Sequence, residues 1–205
     1  MTSREPRLEP VPIAQLHPTQ ITVGFREVAE KRRHWRKLAP RKGPDFLGRH
    51  VIPVILGPKE RHYLLDHHHL VRALFEEKVE HILVNVVADL HVVEKDSFWV
   101  VLDHARWCHP YDAKGRRRDF AEIPSSIADL DDDPFRSLAG ELRRAGGYAK
   151  DTMPFAEFLW ADFLRRRLKR KAVEKDFAAA LRNALKLAKS EEAGYLPGWC
   201  GKVRD

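Results

Sequence analysis

Asp66, His67, His68 and His69 follow one another in the stretch LLDHHHLVRAL, between an apolar run and an amphipathic one. One carboxylate and three imidazoles at such a point can do three kinds of chemistry. Imidazoles donate to phosphate oxygens, carry protons near neutral pH, or ligate a metal. Where a strand hands over to a helix, the first N–H groups of the helix and its dipole also favour an anion, typically phosphate. The residues expected to bind one are Asp66, His67, His68 and His69, with Arg72 one turn on and Gln20 upstream, next to Thr19. His68 and His69 are the catalytic candidates, stabilising phosphoryl charge or moving a proton. Successive residues at a helix start point in different directions, so all three histidines cannot ligate one ion. For a divalent metal the candidates are therefore His62, Asp66 and His68. The plainer reading of Asp66 is a helix N-cap, worth about 1 kcal/mol.

Other clusters carry weaker signals. Asp103, His104, Cys108 and His109 in DHARWCHPYD have the composition of a transition-metal site or a thiol–imidazole pair. A helix through this stretch would bring His104 and Cys108 onto one face. A junction packed around Trp107 is the favoured alternative. The loop GRRR (115–118) is either solvated or a flap over phosphate, and RRRLKRK (165–171) either tracks a nucleic-acid backbone or forms the charged outer face of a helix. The outer face is the default.

The elements that must position these residues can be read from periodicity. VPIAQLHPTQ is proline-punctuated and extended. FREVAEKRRHWRKL repeats Phe25, Val28, Arg32, Trp35 and Leu38 at helical spacing, and the breakers of APRKGP (39–44) are expected to end that helix. VIPVIL and RHYLLD read as two strands about the turn GPKE, and residues 67–78 as a short helix. HILVNVVADL is a third strand, apolar enough to lie inside a sheet. DSFWVVLDHARW looks helical with a cap at Asp96-Ser97, and 109–133 is irregular. Beyond Pro134 everything reads as helix: PFRSLAGELRRAGGY, FAEFLWADFLRRRLKR and DFAAALRNALKLAKSEEAG.

The 205 residues carry a net charge of +7 and are 43% hydrophobic and 33% charged, a globular composition with a bias towards polyanionic partners. No apolar run nears the ~20 residues needed to cross a bilayer. MTSREPRLEPVPIAQL lacks an apolar signal segment, so the expected location is cytoplasmic, without a membrane partner. Two distant cysteines form no CxxC and indicate neither a disulfide framework nor structural zinc.

The order VPIAQLHPTQ, VGFREV, PVILGPKERHYLLDHHHLVRAL and a further strand resembles the ParB-like nuclease-domain group, close to the branch labelled putative ParB-like nucleases. FRSLAGELRRAGGY and FLWADFLRR also look typical of that branch. The group shares a fold with sulfiredoxin and an ADP-dependent free-serine kinase. Partition ParB proteins carry Gly-Glu-Arg-Arg at the start of this helix, where this chain has His67, His68, His69 and Leu70. Losing the glycine and both arginines argues against CTP-switch chemistry. Sulfiredoxin has Gly-Cys-His-Arg there, and His68 in the cysteine's place excludes sulfinic-acid reduction. The kinase has an Asp-Gly-His-like start, which Asp66, His68 and His69 fit, with His67 replacing glycine. Its catalytic base is a carboxylate from the N-terminal region, so the resemblance makes Glu27 a candidate general base or metal ligand.

The expectation is thus an α+β protein. A ParB/sulfiredoxin-like domain with a small mixed sheet (8–108) is followed by a mainly helical extension (109–205). It would act as a nuclease or phosphodiesterase on a phosphate-bearing ligand held at Asp66–His69, with a divalent metal as the candidate cofactor. Two rivals are a nucleotide-dependent small-molecule kinase and a non-catalytic module binding nucleotide or, non-specifically, nucleic acid. The long connection GGYAKDTMP does not suit a helix-turn-helix, so sequence-specific DNA binding is not expected.

Overall fold

The apolar β-branched run at 52–56 becomes the centre of a five-stranded mixed sheet. The structure is a computed structural model in which residues 7–201 are described; part of the N-terminal stretch read above for a signal segment lies outside them. In chain order the first elements are β1 (Arg7–Pro12), a 3-10 turn (Ile13–Gln15), β2 (Leu16–His17), β3 (Thr22–Val23) and α1 (Phe25–Arg49). There follow β4 (Ile52–Gly57), β5 (Arg61–Leu64), α2 (His68–Glu76), β6 (His81–Asp89) and α3 (Lys95–His104). The sheet order is β1-β6-β4-β5-β2. β4 runs antiparallel to β5 and parallel to β6, and β5 with α2 form the crossover that the parallel pair requires. The strand read as interior, β6, lies between β1 and β4. The fold is α+β.

The chain divides into two compact units, one holding residues 1–22, 28–112 and 117–131, the other 23–27, 113–116 and 132–205. In the first, Phe98 of α3 closes on Tyr63 of β5, ring centroids 4.6 Å apart, over a core that includes Ile55, Leu102 and Cys108. A Cβ at Gly57 would lie 2.6 Å from the Tyr63 ring and 2.7 Å from that of Phe98, so β4 must be bare there.

α1 holds two helical stretches. As expected, the breakers at 39–44 end the first, at the non-helical Lys42 (φ −136°, ψ 18°), and a second stretch then runs through Arg49. Pro44 has no N–H for the helix ladder, and it disfavours helical geometry in the residue before it. In a straight helix residues 34 and 46 would be about 18 Å apart along the axis. Here the rings of His34 and Phe46 stand at 5.9 Å and those of Trp35 and Phe46 at 5.6 Å, so the second half of α1 folds back on the first.

The second unit begins its helical part after two 3-10 turns of the irregular segment (Phe120–Glu122 and Ile127–Asp129) and β7 (Asp131–Asp132). It contains α4 (Pro134–Arg144), α5 (Ala156–Arg165), α6 (Arg170–Lys175) and α7 (Phe177–Ala188). Asp133 caps α4 by accepting the Phe135 N–H at 3.0 Å, with Pro134 in the first turn, where no N–H is missed. The core stacks Tyr148 on Trp160 at 4.3 Å, and Ala180, Ala184 and Ala188 give α7 a smooth buried face at four-residue spacing. FAEFLWADFLRRRLKR does not form one helix: α5 stops at Arg165 and α6 starts at Arg170. All four arginines of the basic run are matched by carboxylates. Arg165 pairs with Asp133, Arg166 with Asp162, Arg167 with Glu192 and Arg170 with Glu174. These pairings offset the arginine charges, while Lys169 and Lys171 are exposed.

Candidate functional site

The turn between β5 and α2 is fixed from both sides. β2 pairs in parallel with β5, setting Leu16 opposite His62 and His17 opposite Tyr63. The chain after β2 then brings Thr19 to the junction, where its hydroxyl donates to the Leu64 carbonyl at 2.6 Å and its backbone N–H donates to His68 Nε2 at 3.1 Å. A nitrogen that accepts a backbone N–H carries no proton, so His68 is a neutral imidazole with its hydrogen on Nδ1. The ring is 5% exposed. Thr19 is held in turn by its carbonyl, which accepts the His109 N–H at 2.8 Å. Next to it Gln20 is also buried, and among the described residues its amide nitrogen has no hydrogen-bond partner.

Asp66 is not the N-cap of α2. That position belongs to His67, without a side-chain capping bond, and Asp66 instead accepts the His67 N–H at 2.6 Å. His67 has φ 66° and ψ 21°, a left-handed conformation that costs a side-chain-bearing residue roughly 1–2 kcal/mol. Its ring reaches a cleft of about 440 Å³ created by the fold-back of α1. Lys31, His34, Lys42, Arg49 and His50 line this cleft with His67, and Asp45 is the one carboxylate among its lining residues. Desolvation, then Lys31 and His50, push the His67 pKa below its usual value against the opposing pull of Asp66. The cleft geometry is held by paired arginines: Arg32 bonds Glu76 and Glu77 at 2.6 Å each, and Arg36 grips Glu77 through two bonds, tying α1 to the end of α2. These arginines, Arg36 first, keep the Glu77 carboxyl below the normal range.

The chain matches the family described as Putative ParB-like nuclease over residues 9–166. It belongs to that family. Among solved structures it is similar to the crystal structure of protein Atu1540 from Agrobacterium tumefaciens, at 58% identity and a TM-score of 0.91, over 96% of this chain and 98% of that one. No curated protein matches it.

For a member of the ParB-like nuclease family, the left-handed His67 is informative. Glycine occupies the equivalent position in the motifs the sequence resembles, and the backbone still adopts the conformation that glycine tolerates best. His67→Gly is expected to stabilise the fold by about 1 kcal/mol in urea denaturation, through relief of this strain less the added entropy of the unfolded chain. A destabilised variant would mean that the imidazole contributes packing that outweighs the strain.

Several predicted residues have other work. Arg72 spends two of its nitrogens within the fold: Nη1 bonds the carbonyls of Ile127 and Ala128 at 2.9 and 2.8 Å, and Nε bonds Glu76 at 2.7 Å. It anchors the 127–129 turn. His62 Nε2 meets Glu9 Oε1 at 2.8 Å, and among the described residues no three His, Cys, Asp or Glu side chains are grouped to hold a metal. His62, Asp66 and His68 are thus not gathered as a ligand set. Glu27 belongs to the second unit, where a Cβ on Gly140 would lie 3.0 Å from its Oε2 and where its charge acts on Arg136. His69 is half-buried in the first turn of α2.

The Asp103–His109 cluster disperses. α3 ends at His104, so the expected helical alignment with Cys108 does not arise. Burial, reinforced by Asp103, raises the Cys108 thiol to about 12, which makes it inert as a nucleophile. His104 bonds the Val100 carbonyl at 2.9 Å, His109 stacks on Tyr111 at 4.4 Å, and Trp107 packs against the core. In the GRRR loop Arg117 pairs with Asp103 and Arg118 with Glu122, at 2.6 Å each. Sequence reasoning missed Lys31, His34, Lys42, Arg49 and His50. Their signal was the density of basic residues between 31 and 50, interrupted by prolines that fold it on itself.

Proposed function

We propose that the chain is a phosphodiesterase of the nuclease type, which seats the phosphate of a nucleotide or nucleic acid in the basic cleft of α1 with His67 as its proton-handling group. The observation that carries this reading is the meeting of three permanent cations and three histidines at one strained residue of the β5–α2 turn. Lys31, Lys42 and Arg49 supply the positive charge. Burial lowers the His67 pKa, so its imidazole is neutral in the free protein at pH 7. The proton it takes up as the anion binds can then be given to the leaving oxygen. His68 acts by position, fixing the turn through Thr19. His69 remains the second catalytic candidate, and Gln20 brings a buried amide donor beside Thr19. Glu27 and a divalent metal are not required for binding on this reading.

Two readouts test it. With a fluorescent single-stranded oligonucleotide, three neutralised phosphates predict roughly a twentyfold loss of affinity between about 50 and 200 mM salt. Lys42→Gln with Arg49→Gln should flatten that dependence to near a single contact. Affinity should also fall by about tenfold from pH 6 to pH 8 at constant ionic strength. The sign follows from His67: an anion stabilises its imidazolium, binding takes up a proton, and higher pH opposes that uptake. Hydrolysis of bis(4-nitrophenyl) phosphate, with and without Mg²⁺ or Mn²⁺, separates an enzyme from a binder. Turnover lost in His67→Ala supports the phosphodiesterase; binding without turnover under every condition would leave a non-catalytic module, and salt-insensitive binding would remove the cleft from the account.

A further inference from the structure

A second crevice of about 370 Å³ lies in the first unit, walled by residues of β5, α3 and the 3-10 turn at Phe120–Glu122. None of its lining residues belongs to the cleft at α1. Its aromatic wall is ordered: Trp99 and Phe120 lie 14° from parallel with centroids 6.0 Å apart, and Tyr63 meets Trp99 edge to face at 5.6 Å. Trp99 is 8% exposed and packs into the core of the first unit. Arg61 and Lys95, both exposed, stand at the rim, and Asp96 is the one carboxylate among the lining residues. His17 completes the polar side. Burial and Arg61 lower its pKa, so at neutral pH it is a neutral ring, hydrogen-bonded to the Ser125 backbone.

Aromatic faces with cations at one end are chemically selective. A flat ring displaces poorly held water from Trp99 and Phe120, which an aliphatic anion cannot do. A negative group on that ring meets Lys95 and Arg61, the latter also hydrogen-bonded to the Tyr63 side chain, whereas a neutral ring gains no such pairing. The volume is that of a small-molecule pocket. We propose that this crevice is a second ligand site, selective for a planar aromatic ring that carries a negative charge. Nucleoside monophosphates and aromatic carboxylates share that chemistry.

Calorimetric titration of the full chain with AMP, indole-3-carboxylate and inorganic phosphate tests the site. The expected result is that at least one aromatic anion binds tenfold or more tightly than phosphate at this site. Arg61→Gln with Lys95→Gln should weaken it by about tenfold, the effect of losing two partly solvated ion pairs. Lys95→Gln alone alters an exposed side chain at the start of α3 and should give a smaller loss in the same direction, which guards against misfolding of the double variant. His67→Ala should leave this binding unchanged. AMP alone as the hit identifies a nucleotide source, indole-3-carboxylate alone an aromatic acid. Binding of neither, or AMP binding that survives the Arg61/Lys95 variants but is lost with Lys42→Gln and Arg49→Gln, overturns the proposal.

Discussion

Arg136→Ala is expected to lower the stability of the second unit by about 3–5 kcal/mol, the usual effect of removing one partner from a buried charge cluster. Arg136 is 5% exposed, and its guanidinium lies over the Phe158 ring at 3.3 Å. Burial pulls its pKa down, while Asp133, Glu157 and Glu27 hold its charge in place. Asp133 shows the converse: burial pushes its carboxyl up, and Arg165 and Arg136 oppose that rise. Without Arg136, three carboxylates face one another across a smaller set of cations, and the Phe158 face loses its contact. Arg136→Met, which keeps much of the volume, separates the two contributions, since any loss common to both variants is electrostatic. Urea denaturation of the three proteins is the measurement. A loss below about 1 kcal/mol in Arg136→Ala would mean that water reaches the cluster and screens it. The same cluster includes Glu27, for which the resemblance to the serine kinase implied a base, and whose charge acts on Arg136.

His68→Ala is expected to destabilise the chain by about 2–4 kcal/mol, because it leaves a cavity and strips the buried Thr19 N–H of its acceptor. His69→Ala, at a half-buried position, should stay within about 1 kcal/mol. The pair of variants decides what the histidine run is for. Loss of stability in His68→Ala, together with faster exchange of the Thr19 amide, marks a positioning residue. An unchanged fold with abolished phosphodiester hydrolysis would instead make His68 a reacting group, and would displace His67 from that role.

Much of the scaffold was legible in residue order. VIPVIL supplies β4, buried at nearly every position, so its central place in the sheet follows from composition. HILVNVVADL buries Ile82 and Val84 on one face while Val87 on the other stays exposed, so its interior place was less directly encoded. Asp133-Pro134 announces the start of α4, since a short carboxylate and a ring without an N–H both suit the first turn. The site was legible as an address. The DHHH run does lie where β5 meets α2, because a polar cluster after an apolar strand must leave the sheet there. The division of labour among those residues was not legible. Whether a histidine faces solvent, a cleft or a backbone amide depends on what the chain brings against it from elsewhere.

The sequence by itself therefore determined most of the elements, the family and the location of the polar junction, because periodicity and motif order are local properties. Tertiary structure decided the rest. The bend at Lys42 turned a tract of basic residues into a cleft, Thr19 came from 49 positions away to hold His68, and the 127–129 turn engaged Arg72. The bend is local and its breakers could be read, but the last two are contacts between segments far apart in the chain. Such contacts are set by which surfaces the fold buries together, and no periodicity in the sequence encodes them.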